Sequence, residues 1–312
     1  MPQALLKAAA RHGKSMAILE DQTRQPVTYD RLVLGAQVLG RVFARQTGQG
    51  EVVGLLLPNV NATAVTLFGL LWHGRSAAML NFSAGQKSIL SACKTADIKL
   101  VITSRAFVTK AGLGPIIEAL SDQVRVVYLE DVRKSLSPLA KVRGVFDKLR
   151  AASIIARNGA RPNDAAIILF TSGSEGEPKG VVLSHSNILS NIAQIAEHID
   201  LSRFKTFFNP LPVFHSVGMT GGLLLPLIEG IRAVQYPSPL HYREIPKLVG
   251  EIQADLLFGT DTFIAGYARA AAPQDLKSVK MIVAGAERVK DETRALWDKY
   301  GTEIVEGYGA TE

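Results

Sequence analysis

Residues Thr171-Ser-Gly-Ser-Glu-Gly-Glu-Pro-Lys-Gly180 follow directly on the apolar run Ala165-Ala-Ile-Ile-Leu-Phe170. The run is short and aliphatic, as a buried strand is. The ten residues after it hold three glycines, two serines beside Thr171, and Lys179. Glycines let backbone N–H groups approach an anion closely, hydroxyls donate hydrogen bonds, and the lysine adds a point charge. At the end of a strand in an open α/β sheet, such a loop lies where those sheets take up ligands. It reads as a polyphosphate-gripping loop. It is not a Walker A loop, which needs glycine before its lysine and Ser or Thr after it. Here Pro178 precedes Lys179 and Gly180 follows it. Nor does the stretch contain G-x-G-x-x-G. A Gly/Ser surface loop with no ligand has the same composition, so the surrounding chain has to decide.

On either side of the loop, short apolar runs alternate with longer amphipathic ones. Strands are expected at 52–57, 77–80, 100–103, 124–129, 165–170 and 181–183, then at 206–208, 233–236, 256–258, 281–284 and 303–305. Between them Ile188, Leu189, Ile192, Ile195 and Ile199 repeat at helical spacing, with Ser184 as the N-cap. A second helix is expected at 291–300. The first 50 residues are less regular, helix-like at 5–10 and 29–45 with a turn at 22–26. Residues 135–161 read as a polar, basic and weakly helical surface excursion. This alternation predicts an α/β chain of mostly parallel sheets layered with helices.

Composition narrows the function classes. In 312 residues, 47% are hydrophobic and 20% charged, an ordinary globular balance with material for one large domain or two smaller ones. The single cysteine, Cys93, excludes an internal disulfide framework, fits a reducing compartment, and reads as a buried thiol in a helix. The formal charge of +7 favours acidic partners. No long basic run or aromatic-interleaved basic patch points to nucleic acid, which is excluded as a partner. A lipid surface or an acidic protein remains. The apolar stretches at 62–72 and 223–228 are too short to span a bilayer, and no signal peptide is apparent. The expectation is a cytoplasmic chain that can lie against a membrane.

Three further segments carry chemistry, each at or near an expected strand end. Pro210-Leu-Pro-Val-Phe-His-Ser-Val-Gly218 exposes His215 ahead of a small-residue helix. Val283-Ala-Gly-Ala-Glu287 runs a strand into Gly285, where a flat ligand can lie on bare backbone. Glu306-Gly-Tyr-Gly-Ala-Thr-Glu312 brings an aromatic face, a hydroxyl and a carboxylate. Taken singly, each has a plain structural explanation: a satisfied histidine, a tight turn, a packed tyrosine.

In order and spacing the four segments resemble the adenylate-forming superfamily of acyl-CoA synthetases, luciferases and peptide-synthetase adenylation domains. TSGSEGEPKG resembles its phosphate loop, PLPVFHSVG its histidine-bearing motif and YGATE its adenylate motif. Within the superfamily, VLSHSNILSN, YPSPLHYREIP, LLFGTDTF and VAGAE look like the ligase half of bacterial acyl-[acyl-carrier-protein] synthetase/2-acylglycerophosphoethanolamine acyltransferases. Glu175 stands where many relatives have threonine. A carboxylate against a triphosphate would be repelled, and the carrier-protein synthetases share it. The resemblance implies that residues 1–312 form an incomplete N-terminal adenylation domain of two interleaved α/β lobes, cut after Glu312 and lacking the C-terminal lid domain.

The implied reaction activates a fatty acid with ATP and Mg2+ as acyl-adenylate, then transfers the acyl group to a phosphopantetheine thiol of acyl carrier protein or CoA. By resemblance Thr171, Ser172, Gly173, Ser174, Gly176 and Lys179 hold the β- and γ-phosphates. Gly285, Ala286, Tyr308 and Gly309 take the adenine side, Thr311 the α-phosphate and Glu312 the magnesium. His215 stands where acyl chain and nucleotide meet, orienting or gating. The full-length protein is expected at the inner face of the bacterial inner membrane, and the chain ending at Glu312 is expected to turn over negligibly. The alternatives are an acyl-CoA synthetase, a non-catalytic nucleotide- or lipid-binding remnant, and a basic surface module.

Overall fold

The structure, a computed structural model, describes residues 1–158, 160–172 and 177–312. Among these, the strands in chain order are β1 (Ala17–Asp21), β2 (Val27–Thr28), β3 (Val52–Leu55), β4 (Ser76–Met79), β5 (Leu100–Thr103) and β6 (Arg125–Tyr128). There follow β7 (Ala165–Ser172), β8 (Pro178–Ser184), β9 (Thr206–Asn209), β10 (Arg232–Gln235), β11 (Leu256–Gly259), β12 (Met281–Ala284) and β13 (Glu303–Glu306). They form a six-stranded sheet ordered β6-β5-β3-β4-β7-β8 and a seven-stranded sheet ordered β13-β12-β11-β9-β10-β1-β2. By its internal contacts the chain divides into two bodies. One comprises Met1–Met16, Thr28–Asn191 and Thr311–Glu312; the other comprises Ala17–Val27 and Ile192–Ala310.

The first body is built on the six-stranded sheet. Its inner strands β4 and β5 are buried along their whole length and apolar apart from Ser76 and Thr103, as strands covered on both faces are. The last pairing departs from the expected open parallel sheet: β8 runs antiparallel to β7, with Thr171 opposite Lys179 and Ser172 opposite Pro178. The glycine loop is therefore a hairpin tip rather than the start of a crossover. Pro178 is tolerated because it opens an edge strand, where no ladder hydrogen bond is demanded of it. Ser184 ends β8 and caps the helix His185–His198, its hydroxyl accepting from the Asn187 N–H at 3.1 Å. The weakly helical excursion resolves into two helices, Pro138–Leu149 and Ala151–Asn158.

The second body packs its helices around a core that includes Phe208, Leu257, Ile264, Ile282 and the fully buried Trp297. Trp297 stays inside because its indole N–H donates to the Ile264 carbonyl at 3.1 Å. All eleven expected strands are present, with small shifts at their ends. β1 was not expected, because it ends in two acids. Glu20 is buried there against Arg24 (3.2 Å) and Arg232 (3.8 Å), and Asp21 accepts from Thr23. Among the described residues no helix is long and apolar enough to cross a membrane.

Candidate functional site

The described pairings among β9 to β13 are all parallel, so the C-terminal ends of these strands lie on one side of their sheet. Three of the segments singled out above leave the sheet on that side. Gly259, Ala284 and Glu306 stand in register at the ends of β11, β12 and β13. The ladder then continues one residue further: Gly285 N–H donates to the Gly259 carbonyl at 3.0 Å and Gly307 N–H to Ala284 at 2.7 Å. The result is a strip of nearly bare backbone across three strands. A β-carbon at Gly285 would meet only the Gly307 carbonyl, at 3.4 Å. Beside this strip Tyr308 is wholly exposed, its ring offered to solvent with nothing packed on it.

Next along the chain, Ala286 has φ +68°, a left-handed conformation that an alanine adopts only at some cost. The loop around it is held on both sides. Glu287 accepts from the Thr262 N–H (3.3 Å) and the Thr262 hydroxyl (3.1 Å). The Thr260 hydroxyl is the largest of the contacts that hold its carboxyl below the usual range. Val289 N–H donates to Glu306 at 3.2 Å, and Arg294 pairs with the same carboxylate. Lys290 N–H donates to the buried Asp261 at 3.0 Å. Burial alone would raise the Asp261 pKa, but the Thr293 hydroxyl and Lys290 outweigh it and hold it low. Three carboxylates from neighbouring strand ends thus staple one strained turn in place.

Two strands away, the segment after β9 presents His215. Asn209 at the end of β9 accepts from Leu211 N–H (3.1 Å) and donates to both Gly218 O (3.2 Å) and Gln235 Oε1 (2.9 Å). Gln235 in turn donates to Gly222 O at 2.9 Å. These amides satisfy carbonyls of Val217–Leu224, the expected small-residue helix, which is wound as a π-helix. His215 N–H donates to Pro212 O (3.0 Å), and its ring meets Phe214 edge-on at 4.7 Å. The imidazole is open to solvent, yet its surroundings desolvate the charged form and hold its pKa below the ordinary histidine value. It is neutral near pH 7. A neutral imidazole is a hydrogen-bonding group rather than a cation.

The hairpin belongs to the other sheet. Thr171 is half-buried and Lys179 exposed at its neck, and Ser172 ends β7. Gly173, Ser174, Glu175 and Gly176 lie outside the described residues. Thr311, half-buried, and Glu312, exposed, group with the body that carries the hairpin, whereas Tyr308 and Gly309 group with the seven-stranded sheet. The structure therefore brings Gly285, Ala286, Tyr308 and Gly309 to one sheet edge with the His215 segment. Gly259, Asp261, Thr262, Glu287, Glu306 and Gly307 lie in the stretches quoted above but were given no role from sequence. Their signal was there in retrospect: each of the runs ending β11, β12 and β13 passes from apolar residues straight into a glycine and an acid.

An α/β chain with two mostly parallel sheets, one ending in such a strip, falls in the class of adenylate-forming folds. Residues 5–312 match the AMP-binding enzyme family, and the chain belongs to it. It is 25% identical over 291 residues to a long-chain-fatty-acid–CoA ligase of Bacillus subtilis (strain 168), covering 85% of this chain and 51% of that protein. It is 23% identical over 314 residues to 4-coumarate–CoA ligase 1 of Arabidopsis thaliana, covering 95% and 54%. The chain spans about half the length of these curated relatives. Among solved structures, the anthranilate CoA ligase AuaEII in complex with anthranoyl-AMP superposes with a TM-score of 0.81 at 17% identity, over all of this chain and 59% of that one. The N-terminal domain of FACL13 from Mycobacterium tuberculosis gives 0.80 at 20% identity, over all of this chain and 76% of that one.

Proposed function

We propose that the chain is the nucleotide- and acid-binding part of a ligase that activates a carboxylic acid with ATP. The observation that carries this reading is the stapled left-handed turn at Ala286, set beside the bare strip of Gly285 and Gly307 and the free ring of Tyr308. Backbone held in a costly conformation by three carboxylates is a preorganised surface, and a flat purine is the ligand whose shape it suits. In the first half-reaction a carboxylate oxygen attacks the α-phosphorus, the bond to the bridging oxygen breaks, and pyrophosphate leaves. In the second a thiol sulfur attacks the acyl carbonyl, AMP departs with the electron pair, and the thiol proton passes to solvent.

The protein's work in the first step is positioning and charge neutralisation. Lys179 and the hydroxyls of Thr171, Ser172 and Ser174, with Gly173 and Gly176, would hold the β- and γ-phosphates. Thr311 would donate to the α-phosphate. His215, neutral, would orient the acid without taking its proton. Magnesium would be held by Glu312. Such an ion is commonly bound by one or two carboxylates together with the substrate's own phosphates rather than by a protein cage. When bound, the ion neutralises charge on the leaving pyrophosphate.

The acid proposed is a fatty acid, and the thiol that of CoA or of an acyl carrier protein. The relatives named as CoA ligases favour CoA, while Glu175 and the phrases YPSPLHYREIP and LLFGTDTF favour the carrier. The same reading keeps the protein near a membrane, where such acids partition. The test is trapping of an acyl-adenylate. With ATP, magnesium and palmitate, this chain joined to the C-terminal domain of an acyl-CoA ligase should form palmitoyl-AMP and exchange pyrophosphate, and this chain by itself should exchange it negligibly. Saturable ATP binding without any adenylate in that fusion would favour the non-catalytic alternative.

A further inference from the structure

Among the described residues, the helix Pro138–Leu149 carries the largest group of exposed apolar side chains on one element: Val145 is 45% exposed, Phe146 61% and Leu149 73%. Its inner face is fixed. Gly144 lets it press onto the helix Tyr29–Ala44, since a β-carbon there would lie 2.3 Å from Val38. Asp147 pairs with Arg41, and Lys148 bonds both carboxylate oxygens of Asp30 at 2.7 and 2.8 Å. The outward side is therefore set by packing, and the protruding Phe146 and Leu149 are what that packing leaves over.

The surroundings are basic. Residues 135–161 hold six cationic side chains against the single acid Asp147, a net +5 within a chain of formal charge +7. Arg143 and Arg150 lie three residues before and four after Phe146, which places them on its stripe of the helix. At the start of the same helix, Arg41, Arg45 and Arg143 line a groove with Val42, Leu136 and Ser137. Asp147 compensates Arg41. Arg45, Arg143 and Arg150 have no acidic partner among the described residues, so a groove for an anion adjoins an apolar ridge.

We propose that this face docks on an anionic phospholipid bilayer. Phosphate headgroups would sit at Arg45, Arg143 and Arg150, and Phe146, Leu149 and Val145 would enter the boundary between headgroups and acyl chains. A short helix with an apolar ridge flanked by arginines is the arrangement that lies in a membrane interface. An acidic protein would satisfy the arginines but leave a convex ridge to be covered. The proposal sharpens the membrane-proximal location suggested above and does not depend on ligase chemistry.

The test is co-sedimentation of the chain with vesicles of phosphatidylethanolamine containing about one-third phosphatidylglycerol, and with phosphatidylcholine vesicles. The chain should pellet with the anionic vesicles only, and less so as salt is raised. The double variant Phe146→Ser/Leu149→Ser should lose at least about tenfold in partition. Arg45→Gln/Arg143→Gln should lose roughly fivefold per arginine. All four positions face solvent, and unchanged thermal unfolding would verify that the variants fold. Failure to pellet, or pelleting that both variants retain, overturns the proposal. So does binding to purified acyl carrier protein that these variants abolish while vesicles are ignored. Adenylate trapping reads the ligase separately, so either idea can fail alone.

Discussion

The hairpin neck of the six-stranded sheet and the C-terminal edge of the seven-stranded sheet are built on opposite plans. The hairpin relies on its own composition: glycines, hydroxyls and one lysine on a two-strand neck, with Lys179 opposite Thr171. The sheet edge relies on neighbours. Gly285 and Ala286 have no polar side chain, and their conformation is held by Glu287 reaching to Thr262, Glu306 reaching to Val289 and Asp261 reaching to Lys290. A polyphosphate can be met by charge and hydrogen-bond donors. A rigid ring needs a surface that does not adjust.

If that division is right, the two regions respond differently to substitution. Lys179→Ala should weaken ATP binding by roughly 10–100-fold, the range expected for losing a charge-assisted hydrogen bond, and leave AMP binding nearly unchanged. Titration of the same variant with both nucleotides measures this, and equal losses would erase the distinction. Gly285→Ala tests the other region. The new methyl has room, meeting only a carbonyl at 3.4 Å, so stability should stay within about 0.5 kcal/mol. A methyl raised on the strip should nevertheless cost AMP and ATP alike about tenfold.

Acid should separate the two bodies. His73 caps the helix Asn61–Trp72 in the first, with its Nε2 buried and unpartnered among the described residues. Burial, and then Arg75 and Arg41, lower its pKa to about 4. The unfolded imidazole takes a proton near pH 6.5 and the folded one resists it. Stability is therefore lost as pH falls from 6.5 to about 4, by about 1–2 kcal/mol once partial exposure is discounted. His73→Gln should shrink that phase and leave the part due to His185, whose pKa burial and then the N-terminal amine also lower to about 4. In the second body Asp261, Glu287 and Glu306 have lowered pKa values. Their contribution is present above the ordinary carboxylate range and is lost only as pH falls through those lower values. His215, in the second body, has a lowered pKa as well. The contrast is therefore tested in a His215→Gln background by denaturant melts across pH read at Trp72 and Trp297, in which the first body should soften earlier. The smallest effect concerns the turn itself. Ala286→Gly relieves a left-handed alanine but adds freedom to the unfolded chain, so stabilisation should be below about 1 kcal/mol.

The same contrast explains what could be read from sequence. Strands such as Leu100-Val-Ile-Thr103 announce themselves by continuous apolar character, and the hairpin loop by its glycines and lysine, because in both the physics is local. β1 was hidden because Glu20 and Asp21 look like surface residues until Arg24, Arg232 and Thr23 are seen to satisfy them. The antiparallel turn of β8 was hidden because nothing in Val181-Val-Leu183 states a direction. The staples at the sheet edge join residues 17, 25 and 29 apart on different strand ends, and no single segment contains that information.

The central claim is that the edge at Gly285, Ala286 and Tyr308 seats an adenylate. Calorimetric titration of this chain with palmitoyl-sulfamoyl adenosine, a stable mimic of the acyl-adenylate, tests it most directly. The account predicts one saturable site per chain, weakened about tenfold by Gly285→Ala and far less by Lys179→Ala, since the mimic carries no pyrophosphate. A folded chain that shows no saturable binding, or binding that Gly285→Ala leaves untouched, would contradict it.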